Sequence, residues 1–270
     1  FLKIAQIRDN NMHIVFNNLG AANAEIGLNK KAIGYFEKAL EVHPLMTEVY
    51  INMGVVYERM GKKKKAMAAY QKALKQDDRN AMTHYNLGVI YAKNKDILKA
   101  VESWDKAGKL DPKDEKVFAS LGWAYEILGK KKKALKEILK SIKLKPFNSK
   151  THYAAGRIHS DLGNFDKALD SFSKAVNFDP EFGDAYYRMG IAYDNLNESR
   201  EAISNLLIAE IVYHKEKKMD LFKKMGVELK PLFEKYELTR KHFTELQLPD
   251  NLKGYDIHKK PKRIKTSKEK

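Results

Sequence analysis

The sequence predicts an all-α fold, a solenoid of stacked antiparallel helix pairs. Three observations predict it. Gly20, Gly54, Gly88, Gly122, Gly156 and Gly190 recur every 34 residues, and so do Ala32, Ala66, Ala100, Ala134, Ala168 and Ala202. Pro44, Pro112, Pro146 and Pro180 keep the same phase, with Asp78 in the slot left between the first two. Within each period the apolar residues step by three and four, as on the buried face of a helix. A fixed period of this length, without insertions, marks an array whose single units cannot bury their own surface.

Six units follow in order: 13–46, 47–80, 81–114, 115–148, 149–182 and 183–214. The unit from Ala81 shows the plan. Tyr85, Leu87, Gly88 and Tyr91 lie on a first helix. Asn94, Lys95 and Asp96 make a turn. Ala100, Val101, Trp104, Ala107 and Leu110 then lie on a second helix, which stops at Asp111-Pro112 because proline has no amide hydrogen to continue it. Glycine at position 8 and alanine at position 20 are expected to face each other, so that the two axes approach closely. Bulkier residues at position 4 (Phe16, Tyr50, His84, Phe118, His152, Tyr186) and position 24 (Phe36, Tyr70, Trp104, Ile138, Phe172, Leu206) fill the space to the next pair.

These residues resemble the tetratricopeptide repeat family. Its signature is matched in the fourth unit by Phe118, Leu121, Gly122, Tyr125, Gly129, Ala134, Ile138, Ser141 and Pro146. The resemblance covers residues 13 to about 214 and implies a right-handed superhelix. Local departures are Asn23 and His159 for the position-11 tyrosine, Lys95 and Asn197 for the position-15 glycine, and Ile138 for the position-24 aromatic. These weaken single turns.

The flanks are read from phase and composition. Leu2 and Ala5 fall at positions 24 and 27 of a preceding unit, so residues 1–12 are expected to hold the remnant of its second helix, in an array that begins earlier. After His214 the phase is lost. Leu221, Phe222, Met225, Leu229, Leu232, Phe233 and Tyr236 keep helical spacing, which predicts a capping helix within 215–247, kinked or divided at Pro231. Residues 248–270 are expected to form a flexible basic tail, with Lys259-Lys260-Pro261-Lys262-Arg263 similar to a nuclear-import signal.

Composition excludes several classes. The 270 residues contain no cysteine, which removes disulfides, thiolate metal sites and cysteine nucleophiles. There is no apolar run of spanning length, and no charged-then-apolar leader follows Phe1. The cytoplasm is the default compartment, with periplasmic or membrane-associated placement left open by what precedes Phe1. No catalytic constellation is present: no His-Glu-x-x-His, phosphate-binding loop, Gly-x-Ser-x-Gly or EF-hand spacing. His13, His43, His84, His152 and His159 read as packing or capping residues. Neither a metal nor a cofactor is expected, and the chain is not expected to be an enzyme.

Function is then expected on the surface. The family resemblance places the first helices on a concave face, where positions 5, 6 and 9 point inward. Asn18, Asn52 and Asn86 form a row that resembles the backbone-gripping ladder of arrays that hold extended peptides. Tyr85, Trp123, Tyr153 and Tyr187, beside Arg157 and Arg188, offer aromatic and cationic anchors. They favour a protein or peptide segment with acidic and apolar side chains. No unit carries the Lys-Asn pair of the clamp that captures chaperone C-termini. The net charge of +16 is uneven. Lys62, Lys63, Lys64 and Lys65 occupy the same positions as Lys130, Lys131, Lys132 and Lys133, at the turn between paired helices. The leading expectation is a non-catalytic scaffold that assembles a multiprotein complex. The alternatives are the substrate-recruiting arm of a larger enzyme, or an adaptor to nucleic acid or anionic membrane through the lysine edge and tail. Self-association through the solenoid ends is a further expectation.

Overall fold

The computed structural model describes the backbone of residues 2–253 and the side chains from residue 11 onward. The described residues form α-helices and two short 3₁₀ turns, with no strand. The helices are α1 (Leu2–Glu25), α2 (Asn29–Val42), α3 (Thr47–Arg59), α4 (Lys63–Gln76), α5 (Ala81–Lys93), α6 (Ile97–Leu110), α7 (Glu115–Ile127), α8 (Lys131–Leu144), α9 (Ser149–Asp161), α10 (Phe165–Phe178), α11 (Gly183–Asn195), α12 (Ser199–Lys215) and α13 (Met219–Lys235). The 3₁₀ turns are Arg240–Phe243 and Asp250–Leu252. The chain divides into two compact units, Phe1–Lys130 and Lys131–Lys270.

In the first unit the paired helices are locked by one side chain per pair. The rings of Phe36, Tyr70 and Trp104 lie on the bare backbone of Gly20, Gly54 and Gly88, where an added Cβ would come within 3.0 Å of ring atoms. The position-8 glycine therefore seats the residue at position 24. The expected partner, alanine at position 20, is fully buried in the same cores. The turns need a left-handed residue, supplied by Gly27 and Gly61 at φ of 78° and 71°. Lys95 adopts the same conformation at φ 64° without glycine's freedom. α1 runs unbroken for 24 residues. No turn separates residues 2–12 from the first unit, because the stretch before Gly20 contains neither glycine nor proline to break it.

In the second unit Phe172 and Leu206 fill the same role over Gly156 and Gly190. His152 places Nε2 2.8 Å from the Pro146 carbonyl, as His84 in the first unit does at 2.9 Å from the Asp78 carbonyl. Both position-4 histidines thus clasp the turn that precedes their helix. α12 is longer than the other second helices, and every side chain from Leu206 to Tyr213 is buried. Such all-round burial needs cover on several sides. α13 supplies part of it through Met225 and Leu229 and continues through Pro231 as one helix. The chain then returns over α12. Phe243 and Leu252 enter the core, Leu246 and Leu248 pack against it, and Arg240 Nη2 meets both carboxylate oxygens of buried Glu210 at 2.8 and 2.7 Å. Leu248 and Leu252 are therefore anchored, although composition assigned them to the tail. The rest of that tail, from residue 254, lies outside the described residues.

Candidate functional site

The first helices of the Phe1–Lys130 unit carry the asparagine row. Asn18 is exposed on α1, whereas Asn52 and Asn86 are half-buried on α3 and α5. Asn52 Nδ2 donates to Oδ1 of buried Asn17 at 3.1 Å. Asn86 lies near the hydroxyl of Tyr70, which donates to Glu58 Oε2 at 3.1 Å. Burial, with the Glu58 carboxylate, pushes the Tyr70 hydroxyl far above its usual range. Lys93 closes the chain on Glu58 Oε1 at 3.1 Å. One member of the row, Asn52, therefore links neighbouring first helices. An amide has two donors and an oxygen with two lone pairs, so one internal bond fixes its orientation without exhausting it.

The aromatic residues of this unit gather around one indole that pattern reading had assigned to packing alone. Trp104 Nε1 donates to the Tyr85 carbonyl at 3.1 Å. The Trp123 ring meets Trp104 edge-on, with centroids 6.2 Å apart, and remains 44% exposed on α7. Tyr85 packs half-buried against the same cluster. Tyr85 and Trp123 are thus brought together through Trp104.

In the Lys131–Lys270 unit the predicted residues have different fates. Tyr153 packs on Phe182 and Phe172 at 4.7 and 5.8 Å, with the Arg157 guanidinium 5.7 Å from its ring centroid. Arg188 is half-buried on α11. Tyr187 is occupied by α13: its hydroxyl donates to Glu228 Oε1 at 3.1 Å, and Lys224 Nζ lies 4.8 Å from its ring centroid. Burial is the largest influence raising the Tyr187 hydroxyl above its ordinary value. Sequence reading missed Asp194, which receives Lys235 Nζ and the Tyr236 hydroxyl, both at 2.7 Å. Burial alone would raise its carboxyl, but these two hydrogen bonds win and hold it below the usual range. A first-helix position facing the next helix could have signalled this, since Lys93 to Glu58 and Arg59 to the Ala24 carbonyl are 35-residue versions of the same link.

Lys62, Lys63, Lys64 and Lys65 are all exposed where α3 turns into α4, and Lys65 Nζ lies 5.7 Å from the Tyr57 ring centroid. Lys130 is exposed after α7, as are Lys132 and Lys133 in α8. Lys131 is tied to Asp161, donating to its carbonyl at 3.1 Å. The first turns of α4 and α8 hold no acid, so these lysines sit against the positive end of the helix dipole. Among the described residues no group of three or more His, Asp or Glu gathers as metal ligands would. No helix there is long and apolar enough to cross a membrane.

Helix pairs repeating every 34 residues, locked by a ring seated on glycine, define a helical-repeat solenoid. Family models for the tetratricopeptide repeat match residues 81–114 and 115–148, and a model described as TPR repeat matches 60–95 and 156–197. The chain is a tetratricopeptide-repeat protein. Among solved structures it is similar to MamA, at 28% identity over 62% of this chain and 97% of that one, with a TM-score of 0.59. It is also similar to YrrB, described as a TPR protein with an unusual peptide-binding site, at 25% identity over 66% of this chain and 91% of that one, with a TM-score of 0.61. PilF of Pseudomonas aeruginosa shares the fold, with a TM-score of 0.69 at 19% identity over 82% of this chain and 99% of that one. No curated protein matches the sequence.

Proposed function

We propose that this chain is a non-catalytic protein-interaction scaffold that takes a segment of a partner protein on its first-helix faces and helps assemble a multiprotein complex. The observation that carries the reading is Trp123. It is a large aromatic side chain, 44% exposed, standing on a buried tryptophan that fixes its position. Exposed aromatic anchors with rigid support are the usual energetic centres of interfaces. Asn18, Asn52 and Asn86 would hold the partner's backbone in the same unit, with Tyr85 beside Trp123. In the other unit Arg157 on Tyr153, with Arg188, suits acidic side chains. Tyr187 belongs to the contact with α13 and is not assigned to the partner. The likeness to a peptide-binding repeat protein supports the class of ligand. The exposed lysines at 62–65, with Lys130, Lys132 and Lys133, would add a salt-sensitive attraction to acidic partners.

The test is capture from nuclease-treated native lysate, read by mass spectrometry. Trp123→Ala/Asn18→Ala should lose specific proteins that the wild-type chain retains, with helicity unchanged. If both baits return the same set, the first-helix face is not the site. If capture disappears once nucleic acid is digested, the lysine-edge adaptor takes precedence.

A further inference from the structure

In the Lys131–Lys270 unit, positive charge gathers on α8. The helix holds six lysines, no arginine and one acid, Glu137. α10, one period on, balances Lys167 and Lys174 with Asp166 and Asp170. Ala134, Ile138 and Ser141 mark the buried face of α8. Lys132, Lys136, Lys140 and Lys143 follow at steps of four and three on the opposite face, all exposed. Lys140 Nζ holds Glu137 Oε2 at 2.8 Å, so the one acid is already paired. Exposed Leu139 and Leu144 border the lysines.

The apolar border widens where α8 ends. Phe147, in the turn that follows, is 79% exposed. Its ring meets that of exposed Phe178 edge-on, with centroids 5.6 Å apart. Phe178 ends α10 as Leu144 ends α8, one 34-residue period apart. Leu144, Phe147 and Phe178 thus line one edge beside a cationic face. Helix pairs precede and follow α8, so this face is not an end of the chain.

The occupant has to take cations and aliphatic side chains together. Nucleic acid supplies phosphates, but bases bind by stacking on flat rings. Leu139 and Leu144 cannot stack, and Phe147 and Phe178 are turned on each other. A carboxylate of a folded partner is best fixed by the arginine fork, and α8 has no arginine. The chain's own residues after Lys253 hold seven Lys and Arg against two acids, so they share the sign of this face. A bilayer of anionic lipid meets both demands: its headgroups draw lysine without fixed geometry, and apolar side chains enter beneath them.

We propose that the outer face of α8 and the edge at Phe147 dock on an anionic lipid surface. Lys132, Lys136 and Lys143 meet the headgroups, and Phe147, with Leu144, enters the interface. None of these residues lies on a first helix, so the surface is separate from partner capture.

The test is sedimentation of the full chain with sucrose-loaded phosphatidylcholine vesicles, with and without phosphatidylserine. Binding should require phosphatidylserine and weaken as salt is raised. Lys132→Ala/Lys136→Ala/Lys143→Ala should lower the partition coefficient about 100-fold, roughly fivefold for each lysine. Phe147→Ala should lower it about tenfold. Helicity should not change, because every substituted residue is exposed. Lys62→Ala/Lys63→Ala/Lys64→Ala removes the same charge elsewhere and should stay within about threefold of the wild type. Equal binding to both vesicles, no binding to either, or binding that survives the α8 or Phe147 substitutions overturns the proposal. So does an equal loss in the Lys62 control. Duplex DNA that binds more tightly at matched phosphate, and is lost with the same α8 substitutions, assigns the face to nucleic acid instead.

Discussion

A methyl group added at Gly88 would run into the Trp104 indole, whereas one added at Gly34 would meet nothing within 4 Å. The two glycines should respond oppositely to the same change. Gly88→Ala should destabilise the chain by about 1–3 kcal/mol through overpacking. Gly34→Ala, in the interior of α2, should stabilise it by about 0.5–1 kcal/mol. Urea unfolding of the two variants checks both signs. Lys95 offers a third case. It holds a left-handed turn at φ 64°, so Lys95→Gly should add up to about 1 kcal/mol. Asn197 at φ 61° should behave alike. At this scale the glycine row was legible because the same demand recurs at Gly20, Gly54, Gly88, Gly156 and Gly190. The partner of Asn52 was not. Position 5 is asparagine in one unit alone, so nothing periodic pointed to Asn17.

At the scale of elements, α13 is held by charges that titrate. The Asp194 carboxyl lies below its ordinary range because Lys235 and Tyr236 bond its ionised form, overcoming the opposing effect of burial. A depressed carboxyl stabilises above its unfolded pKa, and that contribution is lost as pH falls through the folded value. The hold on α13 should therefore weaken below about pH 4. Asp194→Asn should speed amide exchange in α13 at neutral pH while leaving α9 and α10 unchanged. His159 follows the same sign for a different reason. Burial first, and then Lys167, lowers its pKa, and its buried Nδ1 has no hydrogen-bond partner. The unfolded chain binds that proton more readily, so stability should decline as pH falls below about 6.5. His159→Tyr restores the residue found one period away at Tyr125 and Tyr193, and should flatten the dependence of Tm on pH in that window. The capping helix was legible from its spacing. Its attachment was not, because Tyr187 to Glu228 and Asp194 to Lys235 span 41 residues, out of phase with the repeat.

At the scale of the whole chain, the period fixed the order of helices, and composition misjudged its end. Residues after 248 read as a basic tail because lysines outnumber the few leucines there, yet Leu252 is fully buried. One buried anchor in a polar stretch leaves no pattern to detect. A chain ending at Lys235 should therefore be poorly soluble, losing Arg240 from Glu210 along with Phe243 and Leu252; light scattering on refolding would show it. The same arrangement has a consequence for how the protein is made. From Leu206 to Tyr213 α12 is buried on every side, and Phe243 and Leu252, which finish its cover, leave the ribosome well after it. Earlier pairs can close as soon as their second helix emerges. α12 must wait roughly 40 residues, several seconds at ordinary synthesis rates, with a carboxylate and a run of bare aliphatic side chains side by side. During that interval a chaperone would have an apolar stretch to hold.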